Sequence, residues 1–110
     1  MRRGEIWTVA GGTGYAGKPR PAVIVQDDRF DTDSVTVCPF TTDSTDAPLF
    51  RLAVQPTASN GLQATARLMV DKLTTVSRLK VGRQIGVLAD LDLTRLNRAI
   101  VVFLGLASAP

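Results

Sequence analysis

The stretch Arg20-Pro21-Ala22-Val23-Ile24-Val25 decides how this chain is read. Pro21 disfavours helical backbone at the residue before it. The apolar run behind it is short and rich in β-branched residues, and it does not alternate. That pattern marks a strand buried on both faces. Such a strand needs neighbours, and the sequence supplies them on either side. Glu5-Ile6-Trp7-Thr8-Val9 alternates as a strand, with bulk at Ile6 and Trp7. Val35-Thr36-Val37-Cys38 alternates and is expected to end at Pro39. Further strands are expected over residues 49–54, 65–70, 74–79 and 84–88, with Asp71-Lys72 between or within two of them. Residues 10–17 form a glycine-rich loop closed by Pro19 and Pro21. Residues 27–33 and 41–48 read as polar loops, and residues 55–61 hold the turn chemistry of Pro56, Ser59, Asn60 and Gly61.

Helical spacing appears at the far end, in Leu93, Leu96, Ile100, Val101 and Leu104. Asp92 or Thr94 can cap its start, Gly105 can end it, and Arg95 and Arg98 face outward. Short strands with one helix give a β-rich α+β fold, expected to be one domain over residues 1–110. Hydrophobic residues make up 45% of the 110, enough for a core, and charged residues 21%, too few for a disordered chain. The lone Cys38 can form neither an internal disulfide nor a multi-cysteine zinc site, which fits a reducing, cytoplasmic setting. Met1-Arg2-Arg3 is followed by Gly4-Glu5 rather than by an apolar segment, so no signal peptide is expected. The longest apolar run, residues 99–107, falls well short of the ~20 residues that span a bilayer, so no membrane partner is expected.

The charge of +3 and the pI of about 9.6 permit an anionic partner such as nucleic acid. The absence of histidine is more selective. It removes histidine acid–base catalysis, Ser-His-Asp triads and histidine-ligated metals. No metal-site, P-loop or dinucleotide-binding motif is present, and Gly11-Gly12-Thr13-Gly14 lacks the later glycine and the helix of a phosphate-binding turn. No metal and no cofactor are expected. The remaining chemistry lies in Arg20 after the glycine loop, Thr41-Thr42 after a strand, and Asp71 late in the sheet. An arginine fork fits a phosphate, threonine hydroxyls donate to its oxygens, and a carboxylate can orient an arginine or a ribose hydroxyl. RNA carries its own nucleophile, the 2′-hydroxyl, so its cleavage needs only proton transfer and stabilisation of an anionic phosphorus centre. Taken singly, each of these residues is an ordinary member of a loop or turn.

Five segments in order resemble the MazF/PemK/Kid toxins. Arg3-Gly4-Glu5-Ile6-Trp7 is similar to their opening strand. Arg20-Pro21-Ala22-Val23-Ile24-Val25 resembles their Arg-Pro-Ala/Val-Val-Ile/Leu-Val strand. Val37-Cys38-Pro39-Phe40-Thr41-Thr42 resembles their Val-x-Pro-x-Thr-Ser/Thr segment. Gly61-Leu62, and then Met69-Val70-Asp71-Lys72-Leu73-Thr74-Thr75-Val76, resemble later segments, and Arg83-Gln84-Ile85-Gly86 falls in order behind them. The resemblance spans nearly the whole chain.

It implies an SH3-like small barrel of short antiparallel strands with a C-terminal helix, assembled as a homodimer. It implies sequence-selective, metal-independent cleavage of single-stranded RNA, leaving 2′,3′-cyclic phosphate and 5′-hydroxyl ends. It also implies a MazE-like antitoxin whose extended segment fills the RNA groove. By position, Arg20 and Thr41 match the catalytic arginine and threonine, and Asp71 an auxiliary aspartate. Glu5, Tyr15, Lys18, Thr42, Thr65, Arg67 and Lys72 are the expected RNA-binding residues. Tyr15 either stacks on a base or is an exposed loop tyrosine. The chain departs from the family pattern at Tyr15, where many members have Glu, and at Gly14, where Kid-like proteins have His. Met69 and Lys72 replace a Kid arginine and a common Gln. Two alternatives share the fold: a CcdB-like gyrase poison and a non-catalytic SH3-like binding module. The end Gly105-Leu106-Ala107-Ser108-Ala109-Pro110 lacks the tryptophan on which CcdB-like toxins rely.

Overall fold

The structure is a computed structural model that describes residues 1–11 and 18–107. Among these residues, seven strands and a C-terminal helix follow one another. The strands are β1 (Glu5–Val9), β2 (Arg20–Ile24), β3 (Ser34–Thr41), β4 (Arg51–Val54), β5 (Ala66–Met69), β6 (Thr74–Ser77) and β7 (Val81–Val87), and the helix is α1 (Asp90–Phe103). Short 3-10 turns at Val70–Lys72 and Arg78–Lys80 flank β6. All pairings are antiparallel, in the order β4-β5-β3-β2-β1-β7, with β6 alongside the first half of β3.

The run at residues 22–24 is buried on both faces, as its composition requires. Val23 joins the main core with Ile6, Cys38, Phe40, Leu68, Val70 and Leu96. Ala22 and Ile24 point the other way, into a smaller cluster with Val35 and Val37, against which Trp7, Val9, Val76 and Val81 pack. Ile6, Leu68 and Leu96 are each fully buried. Each such side chain stabilises the fold by roughly 1.5–3 kcal/mol relative to exposure. Helix α1 lays Leu96 and Ala99 on the main core, and the Arg95 guanidinium donates to the Ala53 carbonyl of β4 at 3.1 Å.

The hydrogen-bonded path is open, yet its far regions meet. Val87 N–H donates to Ser59 O at 2.9 Å, which closes β7 against the turn after β4. Glycine makes this approach possible. A Cβ on Gly86 would lie 2.3 Å from the Asn60 carbonyl, and one on Gly61, whose φ is +71°, would lie 2.0 Å from Ile85 O. Buried Asn60 sets the turn: its side-chain oxygen accepts from Thr57 N–H and Leu62 N–H, and its amide donates to Gln55 O. The small barrel of the sequence reading is therefore a curled sheet sealed partly by a turn.

Several boundaries move. Strand β3 runs on through Pro39 to Thr41. Pro39 pairs with Ala22 on the β2 side and falls, on the other side, between the β6 pairing that stops at Val37 and the β5 pairing that starts at Phe40. Its missing N–H is harmless at that change of partner. Strand β7 begins at Val81 rather than residue 84, because it pairs with β1 from Val9 onward. Helix α1 starts at Asp90 with Ala89 as N-cap and no side-chain cap, so neither Asp92 nor Thr94 opens it. Asp90 and Asp92 in its first turn complement the helix dipole instead. Its other end follows expectation: Gly105 has φ +75°, Gly105 N–H donates to Val102 O, and Leu106 N–H donates to Val101 O. Val101 and Leu104, expected on the inner face of the helix, are exposed.

Candidate active site

Arg20 and Thr41, the expected catalytic pair, stand at the ends of two neighbouring strands. Arg20 is the first residue of β2 and lies opposite Val9 of β1. On its other side β2 pairs with β3 as far as Ala22 and Pro39, two residues short of Arg20 and of Thr41, the last residue of β3. Thr41 in turn pairs with Arg67 of β5. Arg20, Thr41 and Arg67 thus mark a row of strand ends on β2, β3 and β5. Arg20 and Thr41 are half-buried. The Thr41 hydroxyl accepts from Asp43 N–H at 3.1 Å, which fixes the start of the following loop.

Beside this row lies a cleft of about 740 Å³. Arg20, Lys18 and Thr42 line it, together with Thr8, the 61–64 segment and Arg83-Gln84-Ile85 of β7. Lys18, Arg20 and Arg83 bring three cations, and no Asp or Glu is among the described residues lining it. Such a cleft suits an anion with several charged oxygens. Thr42, one residue beyond the strand end, reaches the cleft, whereas Thr41 is not among its lining residues.

The other expected residues lie elsewhere. Both oxygens of Asp71 accept from the Arg51 guanidinium, at 2.7 and 3.0 Å. The two side chains are 22% and 12% exposed. Those hydrogen bonds hold the Asp71 carboxyl below the usual aspartate value of 3.8. Lys72, next to it in the 3-10 turn, is exposed and does not line the cleft. Glu5 sits at the opposite end of the β1–β2 ladder, roughly 13 Å of strand from Arg20. Its carboxylate accepts from Arg2 N–H and from the Trp7 indole at 2.8 and 3.0 Å. Burial opposes the Glu5 charge, but these bonds outweigh it and the pKa falls. Thr65 donates to the Gln55 side chain at 2.7 Å, and Arg67 makes a long 3.5 Å contact with Asp43 O. Tyr15 and the rest of residues 12–17 lie outside the described residues.

Cys38 is fully buried, and burial pushes its thiol up to about 12, so it packs rather than reacts. Trp7 packs against the smaller core cluster. Arg83 and Gln84, which belong to an ordered segment but were given no role from the sequence, line the cleft, as does Gln63. The placement of Arg83 and Gln84 depends on β7 lying beside β1, a pairing of distant segments that no local pattern encodes.

Fold and cleft together define a small β-rich protein equipped to hold a polyanion beside an arginine and threonines. The family model described as PemK-like, MazF-like toxin of type II toxin–antitoxin system matches residues 2–104. A relative from Mycolicibacterium smegmatis, named probable endoribonuclease MazF, is 55% identical over 108 residues, covering 97% of this chain and 99% of its own. Endoribonuclease MazF9 of Mycobacterium tuberculosis is 30% identical over 119 residues, covering 98% and 99%. Among solved structures, the Mycobacterium tuberculosis toxin MazF-mt6 superposes with a TM-score of 0.76 at 27% identity, over 92% of this chain and 96% of that one. A mycobacterial endoribonuclease in complex with its cognate antitoxin shares the fold at a TM-score of 0.79 and 22% identity, over 99% of both chains. The chain belongs to the PemK-like, MazF-like toxins of type II toxin–antitoxin systems.

Proposed function

We propose a chemistry for this endoribonuclease toxin: it cuts single-stranded RNA through the substrate's own 2′-hydroxyl, without a metal ion. The observation that carries the reading is the cleft in which Arg20 and Thr42 stand with Lys18 and Arg83 and with no carboxylate among the described lining residues. The 2′-oxygen attacks phosphorus and the bond from phosphorus to the 5′-oxygen breaks, giving a 2′,3′-cyclic phosphate and a 5′-hydroxyl. The 2′-hydroxyl proton passes to a non-bridging phosphate oxygen, since no carboxylate is among the described residues lining the cleft. Arg20, charged throughout, neutralises the crowded phosphorus centre, and the proton held by the phosphate passes on to the departing 5′-oxygen, so the cyclic phosphate leaves as an anion. Thr41, at the end of the neighbouring strand, steadies the phosphate, and Thr42 holds the neighbouring backbone. Asp71 takes no proton, since Arg51 occupies both its oxygens.

On this reading the cytoplasmic toxin is a homodimer, and a cognate antitoxin silences it by laying an acidic, extended segment into the cationic cleft. A mycobacterial endoribonuclease of the same fold, solved in complex with its cognate antitoxin, supports an antitoxin partner. The test is cleavage of RNA by purified protein in excess EDTA. Cutting is expected to persist with the chelator, and wild-type protein that leaves every RNA intact sinks the reading.

A further inference from the structure

We infer that Arg83 forms a second phosphate subsite, on β7, which grips the RNA backbone away from the scissile phosphate. The inference rests on the RNA-cleaving reading above and extends it to a residue that the sequence reading gave no role.

Three observations carry it. The first is position. Arg83 and Arg20 line the same cleft from strands on either side of β1, so they are separated by about 10 Å of sheet. Arginine side chains are several ångströms long, so bases at this spacing can serve two phosphates of one strand. The second is commitment. Arg3, Arg29, Arg51, Arg78 and Arg95 each spend their guanidinium on a carboxylate, a side-chain amide or a carbonyl. The Arg83 side chain has no such partner among the described residues. The third is anchoring. Arg83 N–H donates to the Thr8 hydroxyl at 3.0 Å, and at Gly82 a Cβ would lie 2.6 Å from that same oxygen. The backbone that carries Arg83 is therefore fixed against β1 while its side chain is exposed. A fixed base and an uncommitted guanidinium on a carboxylate-free wall form a backbone grip rather than a reacting group.

The experiment uses a fluorescent, mixed-sequence single-stranded DNA, which presents phosphates but has no 2′-hydroxyl to be cut, together with RNA of the same sequence. Arg83→Gln is expected to weaken binding of the DNA about tenfold. It is also expected to flatten the slope of log affinity against log salt by about 0.7, the loss of one single-strand phosphate contact. On RNA it raises KM far more than it lowers kcat, and Arg83→Lys restores most of the affinity. Arg98→Gln, which removes an equal charge from the exposed face of α1, leaves affinity near wild type. Circular dichroism establishes that each variant is folded. The inference is overturned if Arg83→Gln binds with the wild-type affinity and slope, if Arg98→Gln weakens binding equally, or if the RNA effect lies in kcat alone. It is also overturned if wild type fails to bind the DNA at low salt. RNA left uncut while the DNA arm behaves as expected fails the cleavage reading and spares the subsite.

Discussion

Two arginine-centred regions share this sheet, and they are built on opposite principles. At Arg51 the guanidinium meets both oxygens of Asp71, so charge is neutralised within the protein. At Arg20 the cleft gathers Lys18 and Arg83 beside it, with no carboxylate among the described lining residues. The first arrangement strengthens the fold and leaves little for a ligand. The second accumulates positive potential at the surface, which costs some stability by self-repulsion and gains an anion site. A family resemblance that names Arg20 and Asp71 together does not separate these roles; the partners of each residue do.

The contrast can be broken most forcefully at Arg20. Arg20→Ala is expected to reduce cleavage of RNA by about 10²–10³-fold, read as kcat/KM. Thr41→Ala is expected to follow at about a hundredfold. Its hydroxyl also caps the loop at Asp43, so a small loss of stability accompanies it.

At the other pole, Asp71→Asn is expected to leave cleavage by folded protein near wild type and to cost about 1–3 kcal/mol in urea unfolding at pH 7. The cost depends on pH with a definite sign. Arg51 lowers the folded pKa of Asp71 below 3.8, so the folded state binds this proton less readily than the unfolded one. The stabilisation is full above that value and disappears as pH falls through the folded pKa, so the gap between wild type and Asp71→Asn closes below pH 3.8. Lys72→Ala is expected to do least, within about 0.5 kcal/mol in stability and with an unchanged rate, since Lys72 is exposed and outside the cleft. A large kinetic effect there would move the RNA path toward the Asp71 turn.

Much of the fold was legible because local pattern and tertiary burial agree. Glu5–Val9 is a strand with the expected bounds, and residues 22–24 are covered on both faces. The errors fall where a distant partner overrides a local signal. Pro39 ends a strand by its chemistry, but here it sits where β3 changes neighbours. The start of β7, at Val81-Gly82-Arg83, carries no clear alternation and becomes a strand because β1 pairs with it. The helix lacks a capping side chain at Ala89, so the sequence points instead to Asp92 or Thr94 further along.

The site divides in the same way. Arg20 and Thr42, which line the cleft, both lie in ordered motifs on strands that pair directly. Arg83 lies in an ordered segment too, but nothing in that segment shows that it lines the cleft, because it arrives there through a strand order that brings the end of the chain beside its beginning. Asp71 could be found but not interpreted. Its partner Arg51 lies 20 residues away in sequence, and their meeting follows from the β4–β5 ladder in which Arg51 faces Met69.

The central claim is that chemistry resides at Arg20 in the cleft and not at the Arg51–Asp71 pair. A single-turnover cleavage assay in EDTA on wild type, Arg20→Ala and Asp71→Asn, with product ends identified, tests it most directly. The expected result is cyclic-phosphate and 5′-hydroxyl ends from wild type and Asp71→Asn at similar rates, and loss of cutting in Arg20→Ala. Cutting by Arg20→Ala at the wild-type rate, or its loss in folded Asp71→Asn, contradicts the account.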